Sequence, residues 1–292
     1  MTTAELVLDC RDVTGECPVW DGEARVLWWV DINGRRLHRY DPVRREHRTL
    51  ATPGRVGSFA LTRSGGMIAA MEHAIGRLDP ATGAFAPLGE PEVGRADHRF
   101  NDGRCDPRGR FFAGSMNLTF GPPTGVLWRL DARLRLCEVA AHVTIANGLA
   151  WSPDGGRMYW ADSSSGRIWT FAYDLEEGIP YDRRLWLETD PSGPLGRPDG
   201  AAIDADGCYW SARFGGGRVV RITPDGRIDR EIRLPCSRVT MCAFGDPDLA
   251  TLYVTTAREG ADAAELVREP LAGGLFACRP GVSGLPESRF PA

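Results

Sequence analysis

The feature that most constrains this chain is an internal repeat. Trp20-Asp21-Gly22 is followed by Val26-Leu27-Trp28-Trp29-Val30-Asp31. Trp151-Ser152-Pro153-Asp154-Gly155 is followed, in gapless alignment, by Arg157-Met158-Tyr159-Trp160-Ala161-Asp162. Each copy has an apolar stretch, a turn rich in Gly, Asp or Pro, and an aromatic-rich stretch, the pattern of two strands joined by a tight turn. Four further copies centre on Leu61, Cys105, Ile203 and Phe244, and a third strand follows in every copy, opening at Gly34, Gly76, Gly125, Gly166, Gly217 and Gly274. A period of about 45 residues with three or four short strands per unit is that of propeller blades, not of a helical solenoid.

Six copies predict an all-β fold, a six-bladed β-propeller spanning residues 1–292 as a single domain. The last copy runs out near Arg279 without a fourth strand, and Leu6-Val7-Leu8 can supply it. Pairing the N- and C-terminal strands in one blade closes the ring and removes a sheet edge.

Composition matters here mainly for what it excludes. The chain has no lysine; all 35 of its Lys+Arg residues are arginine. Schiff-base catalysis, a lysine base and a Walker-type phosphate loop are therefore ruled out. Neither G-x-S-x-G nor H-E-x-x-H occurs, which removes the serine-hydrolase elbow and the zincin helix. A net charge of −4 is too small to point to nucleic acid or a membrane surface, and no apolar run approaches the ~20 residues that span a bilayer. Met1 to Cys10 lacks the basic and apolar regions of a secretory signal. Eight cysteines without C-x-x-C spacing read as reduced thiols, and the expected location is cytoplasmic. Asp204-Ala205-Asp206-Gly207 opens like an EF-hand loop, but its twelfth position is Gly215, so it reads as a hairpin turn.

Equivalent positions of such a repeat form a ring around the axis. Four residues before each anchor stand Glu16, Gly57, Asn101, Asn147, Asp199 and Thr240, at the start of the innermost strand. The chain has only four asparagines, Asn33, Asn101, Asn117 and Asn147, and two fall in this column. Two carboxylates and amide oxygens converging on an axis suit a hard divalent cation: calcium, magnesium or manganese, with zinc and iron also admissible. Asp, Asn and Gly also start strands after turns, so the column by itself leaves turn chemistry open. Two residues further back stand Arg55, Arg99, Arg197 and Arg238, which would surround the mouth with positive charge suited to an anionic substrate or product. His98, beside the polar column, is the histidine placed to line a pocket.

Four separated segments carry a resemblance that covers nearly the whole chain: Thr14-Gly15-Glu16-Cys17-Pro18-Val19-Trp20, Arg99-Phe100-Asn101-Asp102-Gly103, Asn147-Gly148-Leu149-Ala150-Trp151-Ser152 and Arg197-Pro198-Asp199-Gly200. They resemble, in order, the signature segments of the senescence-marker-protein, gluconolactonase and regucalcin family. The resemblance implies a six-bladed propeller and one divalent metal ion held by Glu16, Asn147 and Asp199. It also implies substrate binding by Arg99 and Asn101, and a catalytic role for Asp199. Two departures stand out. Cys17 occupies a position where the family usually has glycine. The loop Asn117 to Thr124 lacks the acidic residue that the family sets there against substrate.

The expected activity is metal-dependent hydrolysis of a sugar (aldono-) lactone to the aldonic acid. In this reading the metal acts as Lewis acid, Asp199 as general base, and Arg99, Asn101 and Arg197 bind substrate. The rivals are a non-catalytic calcium-binding or regulatory propeller and a scaffold that binds proteins on its face.

Overall fold

The computed structural model describes residues 2–291, with side chains from Thr3 onward. Every repeat folds into an antiparallel sheet of four strands whose first member is innermost. The innermost strands are Gly15–Asp21, Val56–Leu61, His98–Cys105, Ala146–Trp151, Arg197–Ile203 and Val239–Gly245 in blades 1 to 6. They are buried on both faces, which is why they read as apolar runs and not as alternating ones. The outermost strands, such as Glu46–Ala51 and Ile179–Glu188, are largely exposed and correspondingly polar.

Closure follows the expected route. Glu5–Leu8 pairs antiparallel with Leu275–Cys278, setting Glu5 opposite Ala277 and Leu6 opposite Phe276. The N-terminus also does something the repeat did not announce: Thr2–Thr3 adds a parallel fifth strand to blade 5, beside Ile232 and Arg233. The C-terminal tail crosses the opposite end of the ring. It is anchored where Gly284 donates to the Leu249 carbonyl (2.8 Å) and where Phe290, fully buried, exchanges backbone bonds with Leu61 and Arg63.

The core is divided into six apolar layers, one between each pair of adjacent blades. Trp20, Trp29 and Tyr253 fill the layer between blades 6 and 1, for example, and Phe112, Trp151 and Trp160 the layer between blades 3 and 4. Met241 of blade 6 also reaches the layer between blades 1 and 2. The hydrophobic driving force is met mostly between blades, which leaves one end of the central channel for polar groups.

Among the described residues there is one α-helix, Ala263–Arg268, and no helix long and apolar enough to cross a membrane. All eight cysteines are free thiols, six of them buried. The Asp204 carboxylate accepts the amides of Asp206 (3.0 Å) and Cys208 (2.9 Å), the hairpin-turn geometry expected of that segment.

Candidate active site

All six innermost strands carry a β-bulge at or next to the column position: between Glu16 and Val19, Val56 and Ser58, Phe100 and Gly103, Asn147 and Ala150, Pro198 and Ala201, and Val239 and Met241. A bulge interrupts the ladder and re-aims the local side chains. Repeated six times, it turns one position per blade toward the axis. In blade 1 the bulge sets Cys17 at φ 49°, and in blade 4 it sets Gly148 at φ 61°. The left-handed φ explains why glycine suits the Cys17 position. The Cys17 sulfur faces blade 2, accepting the Phe59 amide at 3.3 Å.

The column lines a pocket of about 450 Å³ at one end of the channel, together with all four arginines of the second column. Gly57 contributes no side chain, and Thr240 turns its hydroxyl to the Gly15 carbonyl (2.5 Å), joining blades 6 and 1. Glu16, Asn101, Asn147 and Asp199 remain, all buried. Asn101 donates to the Ala146 carbonyl (2.9 Å) and to Asn147 Oδ1 (3.2 Å), while Arg99 Nη1 donates to Asn101 Oδ1 at 2.7 Å.

The electrostatics are unfavourable as they stand. Burial, then repulsion from Asp199 and Asp102, holds the Glu16 carboxyl well above the usual range. Burial and then Asp102 do the same to Asp199. Asp102 lies beneath them, buried, with Oδ2 on the Leu149 amide (2.9 Å) and Oδ1 without a partner. Burial also pushes the Arg99 guanidinium down to about 10. Among the described residues no three His, Cys, Asp or Glu side chains gather as a metal cluster. What converges here is two carboxylates and an amide oxygen. That donor set fits a hard divalent ion, whose charge would offset the repulsion between Glu16 and Asp199.

The four arginines are not equivalent. Arg55 is locked onto Glu72 through Nε and Nη2 (2.8–3.1 Å), and Arg238 reaches Glu265 at 3.1 Å. Arg197 is exposed, and its side chain has no hydrogen-bonding or ionic partner among the described residues. Positive charge at the mouth thus comes from Arg197 and Arg99. His98 does not line the pocket. Its ring is buried against Glu92 (3.2 Å) and Thr124 (2.9 Å), pointing outward from the strand that carries Arg99.

Much of the remaining wall comes from the end of the second strand, or the turn after it, in five of the blades: Asn33, Leu118, Phe120, Ser163, Phe214 and Glu259. Leu118 and Phe120 form an apolar side in the loop that lacks an acid. The rim carboxylate instead belongs to Glu259 of blade 6, which accepts the Thr14 hydroxyl at 2.8 Å. The polar column follows the first strand alone and so does not reach these residues, which stand at different distances from the end of the second strand. A second cavity of about 440 Å³ opens at the other end of the channel, around Arg104, Met241 and Glu287 of the C-terminal tail. None of the column residues reaches it.

A six-bladed propeller with carboxylates and amides gathered at one mouth of its axis defines a class of small-molecule site built at a propeller's centre. The chain belongs to the SMP-30/gluconolactonase/LRE-like family, whose profile it matches over residues 14–258. It is 44% identical to the 6-deoxy-6-sulfogluconolactonase of Pseudomonas putida, covering 99% of this chain and 98% of that protein. It is 35% identical to the regucalcin of Xenopus laevis, covering 94% of each. The crystal structure of a calcium-binding protein, regucalcin from Agrobacterium tumefaciens, superposes with a TM-score of 0.94 at 27% identity, covering 100% of this chain and 98% of that one.

Proposed function

We propose that the protein is a metal-dependent lactonase that opens a five- or six-carbon aldonolactone to its aldonic acid. The observation that carries this reading is the convergence of two buried, mutually repelling carboxylates and an amide oxygen in a pocket large enough for one sugar ring. Family membership and the 44% relative, named as a sugar-lactone hydrolase, support it. Glu16, Asn147 and Asp199 would hold one divalent ion, which when bound polarises the lactone ester as a Lewis acid.

The chain's own groups do the rest. Asp199 accepts a proton from the attacking water. The remaining guanidinium nitrogens of Arg99 meet the tetrahedral oxyanion, and Asn101, whose amide oxygen is held by Arg99, accepts a sugar hydroxyl on that oxygen. Arg197, free at the mouth, meets a negatively charged substituent on the sugar. The name of the Pseudomonas relative supports a sulfonated lactone as that substrate.

Assaying a panel of neutral and anionic sugar lactones with and without divalent ions tests this, because a non-catalytic calcium-binding propeller would bind the ion and turn over none of them. Asp199→Asn should lower lactone opening by about 10²–10⁴-fold, with ion occupancy measured in parallel. Wild-type rates in a fully loaded Asp199→Asn protein would remove that residue from the mechanism.

A further inference from the structure

Three inner strands meet at the pocket through a run of hydrogen bonds with a single direction. Arg99 Nη1 donates to Asn101 Oδ1 (2.7 Å), and Asn101 Nδ2 donates to Asn147 Oδ1 (3.2 Å). Asn147 Nδ2 donates to Ser163 Oγ (2.8 Å), and Ser163 Oγ donates to the Pro198 carbonyl (2.5 Å). Arg99, Asn101, Asn147 and Ser163 are all buried.

The direction is forced at both ends. A guanidinium only donates, so Asn101 must offer it oxygen. The Asn101 amine then faces the Ala146 carbonyl and Asn147, so Asn147 must turn its oxygen toward Asn101 and the axis. At the far end a proline carbonyl only accepts, so the Ser163 hydroxyl spends its one proton there. Its lone pairs are left for the Asn147 amine. A flipped Asn147 would set NH2 against NH2 at Asn101 and oxygen against oxygen at Ser163.

Ser163 is also the side chain in this run that links the bulges of blades 4 and 5. The ladder is interrupted between Asn147 and Ala150 and between Pro198 and Ala201, so neither Asn147 nor Asp199 is gripped by continuous strand pairing on both sides. The Pro198 carbonyl belongs to the peptide plane that carries the Asp199 amide. Ser163 is itself placed by its own amide, which donates to the Ile145 carbonyl at 3.2 Å.

We propose that Ser163 is a positioning residue that fixes the Asn147 carboxamide with its oxygen toward the axis and ties it to the peptide plane of Asp199, so that two ligands from different blades keep one geometry. This rests on the reading of Glu16, Asn147 and Asp199 as divalent-ion ligands. Partners that orient a metal ligand without touching the metal typically change metal affinity by about 10–100-fold when removed.

The test exploits the four asparagines of the chain. Labelling with ¹⁵N-asparagine gives four side-chain amide pairs, among which Asn33 and Asn117 lie outside the run and serve as internal controls. In ion-free Ser163→Ala, the Asn147 pair is expected to shift and to exchange with water about ten-fold faster, with the Asn33 and Asn117 pairs unchanged. Affinity for Mn²⁺ and Ca²⁺, measured by calorimetry, is expected to fall about 10–100-fold, and Ser163→Thr, which keeps the hydroxyl, to restore most of it. If Ser163→Ala does not fold, Ser163→Cys carries the same comparison, since a thiol is a weak donor and acceptor. Unchanged Asn147 exchange overturns the proposal, as does altered exchange with wild-type affinity. A wild-type protein that takes up neither ion overturns the metal reading instead, and the Asn147 exchange in that protein still decides whether Ser163 holds the amide.

Discussion

Gly57 is the column position without a side chain, and the reason lies in blade 3. A β-carbon built there would sit 2.5 Å from the Phe100 carbonyl oxygen and 2.7 Å from that of Asn101. Comfortable contacts between heavy atoms begin near 3.5 Å, so Gly57→Ala forces the two inner strands apart by roughly 1 Å. The contacted atoms are backbone and cannot swing aside as a flexible side chain would. Overpacking of this kind costs about 1–3 kcal/mol, and about 2 kcal/mol corresponds to roughly 4–8 °C in Tm for a domain of this size class. The displaced strand carries Arg99 and Asn101, and a misplacement near 1 Å typically lowers turnover about 10²-fold. Thermal unfolding by circular dichroism and kcat/KM for lactone opening are the two assays. Gly66→Ala is the control, because its β-carbon meets only the Thr62 hydroxyl, at 3.5 Å. If Gly57→Ala matches Gly66→Ala in both Tm and kcat/KM, close approach of blades 2 and 3 is not what requires the glycine.

Two further outcomes follow from charge. Arg197→Ala should lower kcat/KM for a sulfonated or phosphorylated lactone by roughly 10–100-fold, the worth of a charge-assisted hydrogen bond, and change that for the neutral lactone little. Arg238→Ala should leave the ratio of the two nearly untouched, because Glu265 already engages Arg238; equal effects of both substitutions would refute the distinction drawn between these arginines. His47 stacks on His38 and shares a 2.9 Å hydrogen bond with it. Burial, then repulsion from His38, lowers its pKa against an opposing pull from Asp12. A histidine depressed in the folded state leaves the unfolded chain binding more protons, so stability is full above about pH 6.5 and is lost as pH falls below it. The fall in Tm between pH 7.5 and 5.5 should be smaller in His47→Gln than in wild type. It should not vanish, since burial and Arg95 also lower His98. An identical pH slope in the two proteins would count against the assignment to His47.

The amino-acid sequence by itself determined the repeat, the six blades, the closing role of Glu5–Leu8 and the column that brings Glu16, Asn101, Asn147 and Asp199 to one mouth. These were legible because strand alternation and turn chemistry are local, and because a fixed period converts position along the chain into position around an axis. Only the tertiary structure decided which members of a column act alike. Arg55 and Arg238 share the blade position of Arg197, yet Glu72 and Glu265, 17 and 27 residues away in the chain, engage the first two. His98 sits one residue before Arg99 and faces Glu92, because neighbours along a strand point to opposite sides. The bulges that aim the column, the left-handed backbone at Cys17, the turn residues Phe120 and Ser163 at the pocket, and the strap formed by the C-terminal tail all depend on contacts between blades. Such contacts join residues far apart in sequence; they exist only once the ring has closed.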